Sequence, residues 1–212
     1  MKIALFGASG HIGSAIADEL LSRGHEVTAV TRSGSGDARP GLTVKSGDIT
    51  DPETVIALVE GHDAVASAVG PKVGVENDEE ILLGAARSLV EALPKTDVRR
   101  VVVLGGAGSL KTPSGERVVD NPHFPAMWKA NALAQIAVLD LFRTVDDLDW
   151  TFISPAAHIE PGERTGEYRV GGDDLLVDEN GDSNISIPDY AVAFVDELEK
   201  GNAIKRRIGV AY

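Results

Sequence analysis

Cysteine is absent from the 212-residue sequence. Disulfides, thiolate nucleophiles and Cys-ligated zinc or iron–sulfur clusters are therefore excluded. Aromatic residues make up only 5% of the chain, and no apolar run approaches the roughly eighteen residues of a membrane span. The first residues enter a strand pattern at once, without the apolar core and cleavage site of a signal peptide. We therefore expect a cytoplasmic globular protein.

Basic residues are also few, since 20 Lys and Arg stand against 33 Asp and Glu, for a net charge of −13. A field of this sign repels phosphate backbones and acidic lipid surfaces, so we expect neither a nucleic-acid nor a membrane partner. Any anion site must be built locally, from main-chain amides and a few arginines. The length predicts a single domain over residues 1–212.

Apolar runs alternate with amphipathic stretches along the first three quarters of the chain. The runs predict strands over 2–7, 26–32, 41–48, 63–70, 99–108 and 149–154, and the stretches between them predict helices over 11–24, 51–61, 77–93 and 125–144. This alternation is typical of an α/β protein with a Rossmann-type, doubly wound parallel sheet.

The alternation of predicted strands and helices becomes irregular in the last quarter of the chain. Short β-like pieces (166–170 and 174–178), a helix (188–200) and a final strand (206–212) are predicted there. These elements are too few for a second domain. We expect 155–212 to form a small cap on the substrate side, over the carboxyl edge of the sheet.

Three glycines lie in the turn from the first strand to the first helix, in the stretch GASGHIG of residues 7–13. In such turns the first glycine permits a tight bend, the second lets phosphate oxygens approach, and the third allows the helix to pack on the sheet. We assign these roles to Gly7, Gly10 and Gly13. The helix N-terminus would stabilise a pyrophosphate without a lysine.

The residues at the end of the second predicted strand bear on the choice between NAD and NADP. A carboxylate there would accept hydrogen bonds from the adenosine ribose of NAD, but this chain has Thr31-Arg32-Ser33. Arg32 can take a 2′-phosphate through two parallel hydrogen bonds, and Ser33 can add a third donor. We therefore predict NADP(H) over NAD(H), although Asp37 could still fold back onto a ribose.

Further cofactor contacts are expected in the glycine-rich turn and just past the strand ends. These are Ser9, His11 and Ile12; Asp48 and Ile49; Ala68, Val69 and Gly70; Leu104, Gly105 and Gly106; and Pro155 and Ala156. The acid at position 48 can accept from the adenine amino group, and the glycines at 105 and 106 lie near the expected nicotinamide. Lys129, on the helix over 125–144, could reach the cofactor or remain solvated.

Several segments resemble one family along essentially the full chain. GASGHIG, VTRS, GDITD, ISPAAHIEPGERTGEYRV and ISIPDYAVAFVDELEK are similar to the atypical short-chain dehydrogenase/reductases. Within them they resemble NAD(P)H-binding proteins labelled as NADH-flavin reductases, with biliverdin reductase B and the NmrA-like proteins as relatives. The resemblance implies the fold and the cofactor, and it says little about the substrate.

The chain departs from most of these enzymes in its acid–base residues. They carry Tyr-x-x-x-Lys on the helix after the fifth strand, where the lysine lowers the tyrosine pKa for proton transfer. Here the corresponding stretch is Met127-Trp128-Lys129-Ala130, and the tyrosines are Tyr168, Tyr190 and Tyr212. A flavin or quinone accepts a hydride without that pair, because its ring delocalises the charge left behind.

His158 is the candidate catalytic residue. It follows the sixth predicted strand in Ser154-Pro-Ala-Ala-His158. The resemblance places it where the flavin reductase has its histidine, which implies a role in proton donation or substrate positioning. The serine that accompanies that histidine is replaced by Gly106. A loop histidine bonded to the backbone remains the alternative.

Other polar and aromatic residues carry weaker expectations. Arg164 and Tyr168 lie in the cap and either contact the substrate or serve surface and core packing. Trp128 is predicted to lie in the core rather than to serve as a stacking platform. The remaining histidines have no metal-site spacing, so we predict no metal.

The leading hypothesis is an enzyme, an NADPH-dependent reductase of a flavin, a quinone or a similar conjugated ring, acting as a monomer or homodimer. Two alternatives remain open. One is a non-catalytic NADP(H) sensor of the NmrA-like type, and the other is a sugar epimerase or dehydratase, which the absent tyrosine disfavours.

Overall fold

The computed structural model describes residues 1–36, 38–70 and 78–212. The strands are β1 (Lys2–Phe6), β2 (Glu26–Thr31), β3 (Leu42–Ser46), β4 (Ala64–Ser67), β5 (Arg100–Leu104), β6 (Asp149–Ser154), β7 (His158–Glu160), β8 (Arg169–Gly171), β9 (Asn184–Ser186) and β10 (Arg206–Ala211). The helices are α1 (His11–Ser22), α2 (Pro52–Val59), α3 (Asp78–Ala92), α4 (Ala126–Phe142) and α5 (Ile187–Lys200), with 3₁₀ turns at Leu93–Lys95, Ala107–Ser109 and Val118–Asp120.

Eight strands form one sheet in the order β3-β2-β1-β4-β5-β6-β10-β8. Every neighbouring pair is parallel except β10 and β8. The chain starts at β1, runs outward through β2 and β3, and then returns to the other side of β1 at β4. The order reverses at this point, so a crevice opens beyond the carboxyl ends of β1 and β4, where doubly wound sheets bind ligands. The predicted Rossmann-type α/β fold is confirmed.

Both faces of the sheet are buried at its central strands. In β1, Ile3 and Leu5 face a core formed with α1 and α5, whereas Ala4 and Phe6 face a core formed with α2, α3 and α4. All four residues are at most 1% exposed. Successive side chains of a strand point to opposite faces, so a strand covered by helices on both sides is apolar throughout. This explains the continuous apolar runs of the sequence.

The last quarter of the chain joins the main fold as well as forming small pieces. β10 pairs with β6, and α5 packs on α1. β7 and β9 form a separate parallel pair that the sequence did not indicate. The β-like piece expected over 174–178 is wrong, because only an isolated bridge from Asp174 to Lys111 forms there.

Within the three described ranges, no helix is long and apolar enough to cross a membrane.

Candidate functional site

Two of the three glycines in the β1–α1 turn are required by packing. Gly7 has a φ of +82°, and a Cβ on it would lie 2.6 Å from the carbonyl oxygen of Ala68 on the neighbouring strand end. A Cβ on Gly13 would lie 2.1 Å from the Gly7 carbonyl oxygen. Any side chain at either position would collide with backbone, so these glycines bring the first turn of α1 close against the sheet.

Gly10 is different, because the protein leaves room for a side chain there. The nearest atom to an added Cβ would be the Gly7 oxygen, at 3.5 Å. Its φ of −80° is also open to any residue. Packing therefore does not account for a glycine at this position, and the backbone there is open to the close approach of a bound group.

The N-terminus of α1 presents free hydrogen-bond donors. Gly10 is the N-cap and supplies no side chain, and the first turn contains no acidic residue. Among the described residues, the main-chain N–H groups of His11, Ile12 and Gly13 have no acceptor. These free amides and the positive end of the helix dipole form a site suited to an anion such as a pyrophosphate.

A cleft opens beyond the carboxyl ends of β1, β2 and β4, with about 790 Å³ of space that opens to solvent. Nine of the predicted cofactor contacts line it, namely Gly7, Ser9, Gly10, Arg32, Asp48, Ile49, Ala68, Val69 and Gly70. The lining also contains Phe6, Val30, Thr31, Gly47 and Ile81. Four of these, at 6, 30, 31 and 47, lie within the last three residues of the strands predicted over 2–7, 26–32 and 41–48, and this position was the available signal. Ile81 carried no signal, because it lies on a helix.

Arg32 lies at the mouth of this cleft. Its side chain is exposed and makes no ion pair or hydrogen bond within the described part of the chain. The exposed Ser33 accepts a hydrogen bond from the Ser35 amide at 3.2 Å through Oγ, which leaves its hydroxyl proton free to donate. Asp37, the alternative partner for a ribose, lies outside the described residues.

Asp48 and Ile49 form another part of the cleft wall. One carboxylate oxygen of Asp48, Oδ1, accepts from the amide and the hydroxyl of Thr50 at 2.9 and 2.7 Å. Its Oδ2 has no partner among the described residues, so it can accept from a bound group. Ile49 is 8% exposed and presents an apolar edge beside it.

The ends of β5 and β6 continue the same edge of the sheet. A Cβ on Gly70 would lie 3.6 Å from Cδ2 of Leu104, so the cleft adjoins the end of β5. The Ser154 hydroxyl donates to the Gly106 carbonyl oxygen at 2.9 Å and links β6 to β5. Gly105 is buried, with Phe152 directly against it. The lining of the cleft does not include the predicted contacts Leu104, Gly105, Gly106, Pro155 and Ala156.

His158 and Lys129 both have exposed side chains. The His158 amide donates to the Ser183 carbonyl oxygen at 2.9 Å, which anchors the start of β7 four residues after β6 ends. Its imidazole has no hydrogen-bond partner in the described ranges. Lys129 lies in the first turn of α4, at the end of that helix nearest to the loop that follows β5.

Three expectations about the remaining residues can now be compared with the structure. Arg164 forms two hydrogen bonds of 2.8 Å with Glu19 of α1, and Tyr168 donates to Asp196 of α5 at 2.8 Å. Both side chains are therefore used in packing contacts. The core position predicted for Trp128 is wrong, because this side chain is 46% exposed. The N-terminal end of α4 projects past the layer of helices that buries its later turns.

None of the three tyrosines is arranged to transfer a proton. Tyr190 is fully buried and donates to the Ile153 carbonyl oxygen at 2.7 Å, and burial raises its pKa. Burial and the neighbouring Asp196 also raise the pKa of Tyr168. The Tyr212 hydroxyl donates to Asp189 at 2.7 Å. Proton transfer by tyrosine needs a lowered pKa instead.

Comparison with known proteins agrees with this geometry. The model of the NAD(P)H-binding family matches residues 7–200. The uncharacterized protein YwnB of Bacillus subtilis is 39% identical over 202 residues, which are 94% of this chain and 92% of that protein. Two solved structures, each 37% identical over the whole of this chain, are a proposed epimerase from Bacteroides thetaiotaomicron (TM-score 0.90, 96% of that chain) and a proposed NADH-flavin reductase from Streptococcus pneumoniae (TM-score 0.86, 99% of that chain).

Proposed function

The chain belongs to the NAD(P)H-binding family of atypical short-chain dehydrogenase/reductases, and from this premise we propose that it is a reductase that transfers hydride from NADPH to a flavin, a quinone or a similar conjugated ring. The observation that carries the proposal is the combination of free amides at the start of α1 with a cleft reaching from Arg32 to Gly70. A dinucleotide needs both, because its pyrophosphate and its adenosine bind at neighbouring strand ends.

The residues of the cleft suit the adenosine half of the cofactor. Ile49 offers an apolar surface for the adenine ring, and the free oxygen of Asp48 can accept from its amino group. Arg32, which has no acidic partner in the described part of the chain, is available for the 2′-phosphate. A guanidinium binds a phosphate through two parallel hydrogen bonds, which supports NADPH over NADH.

When bound, NADPH supplies a hydride, which reduces the acceptor ring by two electrons. The ends of β5 and β6 would hold the nicotinamide, with one face of its ring turned toward the acceptor. His158 would hold the proton that completes the reduction, or position the ring that receives it. The segment 155–212 would cover this side of the site, and its role as a cap stays a prediction.

The epimerase alternative has support from the similarity to the Bacteroides protein, which is a proposed epimerase. Sugar epimerisation of this kind uses a tyrosine to take a proton from a hydroxyl. Here the hydroxyls of Tyr168, Tyr190 and Tyr212 all donate to groups of the protein itself. The positions of these hydroxyls disfavour an epimerase.

The first test is the loss of reduced-nicotinamide absorbance, with NADPH and NADH in parallel and with riboflavin, FMN and small quinones as acceptors. We expect oxidation that depends on the acceptor and is faster with NADPH. Tight binding of NADPH without oxidation by any acceptor would instead indicate a cofactor sensor. A cytoplasmic location and a monomer or homodimer accompany this proposal as predictions.

His158 is tested in the same assay. His158→Gln should lower turnover at least about 100-fold, the smaller end of what a positioned acid–base group contributes, and it should leave the dissociation constant of NADPH unchanged. Because the side chain is exposed and has no partner in the described ranges, the substitution should not affect the fold. Unchanged turnover would remove His158 from the site.

A further inference from the structure

Two buried amide side chains on α4 lack hydrogen-bond partners. Asn131 and Gln135 are 8% and 6% exposed, and no group in the described ranges bonds to Nδ2 of Asn131 or to Oε1 of Gln135. Leaving such an atom unpaired costs about 1–3 kcal/mol. Native proteins rarely accept this cost unless water or a ligand pairs with the group.

These two residues belong to one face of the helix. Trp128, Asn131 and Gln135 follow one another at three- and four-residue spacing, so their side chains lie in a row. Only four buried side-chain atoms lack partners among the described residues, and two of them fall in this row, one helical turn apart. The clustering points to a shared missing partner.

The row faces the end of β5. A Cβ on Gly106 would lie 3.2 Å from Cβ and Cγ of Gln135, and one on Gly108 would lie 2.9 Å from Cβ of Ala132, which lies on the same face. The glycines after β5 therefore let this face of α4 pack closely against the backbone of the turn, with no side chain of the turn between them. The same strand end is where the proposed function places the nicotinamide.

Trp128 completes the row at its outer end. The other tryptophan, Trp150, is 3% exposed and donates to the Val145 carbonyl oxygen. Trp128 is 46% exposed, and Met127 beside it is 65% exposed. An indole exposed beside buried, unpaired amides combines an aromatic surface with hydrogen-bonding groups.

We propose that this face of α4 binds the acceptor of the proposed reductase, with the ring stacked on Trp128 and its polar edge paired with Asn131 and Gln135. The inference rests on the proposed function and narrows its substrate class. Nδ2 of Asn131 donates and Oε1 of Gln135 accepts, so the matching edge has a carbonyl beside an N–H. The imide edge of a flavin has this pattern, whereas a quinone presents carbonyls alone.

Binding is measured without turnover, by titrating riboflavin and following tryptophan emission. Stacking should quench Trp128. Trp128→Leu should weaken riboflavin binding about tenfold or more, followed by flavin fluorescence, since stacking on an aromatic ring contributes about 1–3 kcal/mol. Leu133→Ala is the matched control, because Leu133 is 47% exposed on another face of α4, and it should leave binding unchanged.

Gln135→Met tests whether Oε1 of Gln135 accepts a hydrogen bond from the imide N–H of the flavin. It should weaken riboflavin binding about fivefold, the effect of one hydrogen bond. It should not alter the binding of riboflavin methylated at its imide nitrogen, which has no proton to donate. The variant should melt at the wild-type temperature or above it, because a buried unpaired oxygen is removed.

Equal riboflavin affinity in wild type, Trp128→Leu and Gln135→Met would overturn the inference, and so would a lowered melting temperature of Gln135→Met with riboflavin affinity retained. The proposed function is judged separately, by NADPH oxidation in the wild type. If riboflavin supports oxidation equally in all these variants, the reductase stands and this binding face is wrong.

Discussion

Arg32 is the side chain on which the choice of cofactor depends. It lines the cleft and has no acidic partner in the described part of the chain. Arg32→Ala should weaken NADPH binding about 10- to 100-fold, since a hydrogen bond to a charged group contributes about 1.5–3 kcal/mol. NADH, which lacks the 2′-phosphate, should bind within about twofold of its wild-type affinity. Dissociation constants from nicotinamide fluorescence measure both.

The control for this substitution is Arg143→Ala. Arg143 is similarly exposed but pairs with Asp140 at the far end of α4, so its removal should change neither affinity. Equal losses of NADPH and NADH in Arg32→Ala would mean that the guanidinium does not bind the 2′-phosphate.

A substitution at Gly10 should affect cofactor binding without affecting the stability of the fold. An added Cβ has room in the protein alone, so Gly10→Ala should change the free energy of unfolding by less than about 1 kcal/mol. The methyl group would stand where the bound pyrophosphate approaches the amides of α1, and binding of NADPH should weaken at least about tenfold. Calorimetry and a binding titration on one preparation test both expectations.

Gly13→Ala provides the contrast. Its Cβ would overlap the Gly7 carbonyl oxygen at 2.1 Å, so the variant should unfold at a lower temperature whether or not cofactor is present. If Gly10→Ala binds NADPH normally, the pyrophosphate does not lie against this turn.

At the scale of elements, α1 and α5 are joined through Asp196. Its carboxylate accepts hydrogen bonds from Lys200 at 2.6 Å, from Arg23 of α1 at 2.7 Å and from Tyr168 at 2.8 Å. Burial opposes ionisation, but these three donors outweigh it and lower the pKa of Asp196 to about 2. The ionised carboxylate therefore stabilises the packing of α5 on α1.

The lowered pKa predicts a dependence of stability on acid. The folded pKa lies below the ordinary value of 3.8, so this contribution is complete above about pH 4 and is lost as the pH falls toward 2. Asp196→Asn should cost about 2 kcal/mol at neutral pH, and the difference from wild type should shrink over that interval. Urea unfolding at several pH values measures it.

Asp140→Asn removes an exposed carboxylate paired with Arg143. It should cost less than about 1 kcal/mol at every pH, as exposed ion pairs do. A constant difference between Asp196→Asn and wild type from neutral pH to pH 2 would contradict the role given to Asp196.

Elements with a repeating pattern could be predicted from the sequence, and those held only by distant contacts could not. β1, β4, β5 and β6 are largely apolar because helices cover both faces, and this requirement is visible locally. β7 and β9 are three-residue strands that exist because they pair with each other across more than twenty residues. No local pattern marks such a pair.

The candidate site likewise contains residues that the sequence signals and residues that only the folded structure reveals. The turn at Gly7–Gly13 and the strand ends carry their signal in residue type and position, so most of the cleft could be named in advance. The exposure of Trp128 could not, because α4 is apolar along most of its length and its sequence does not show where the covering layer ends. The unpaired amides of Asn131 and Gln135 depend on neighbours that only the folded chain brings together.

At the scale of the whole molecule, the net charge of −13 acts against the binding of an anionic cofactor. The positive potential of α1 and Arg32 is local, whereas the negative field extends over the surface. Salt of about 0.1 M screens charges beyond about 10 Å, so it weakens the distant repulsion more than the contacts inside the cleft. We expect the association rate of NADPH to rise about two- to fivefold between about 0.02 and 0.2 M salt, measured by stopped-flow fluorescence.

The direction of this salt effect shows whether the overall negative field or the local positive potential of α1 and Arg32 governs the association of NADPH. NADPH should show a larger rise than NADH, because its 2′-phosphate adds to the charge that is repelled. Arg32→Ala should steepen the rise, since it removes the nearest attractive charge and leaves the overall repulsion in place. A rate that falls with salt, as in association steered by opposite charges, would mean that the positive potential around α1 extends beyond the cleft and governs the encounter.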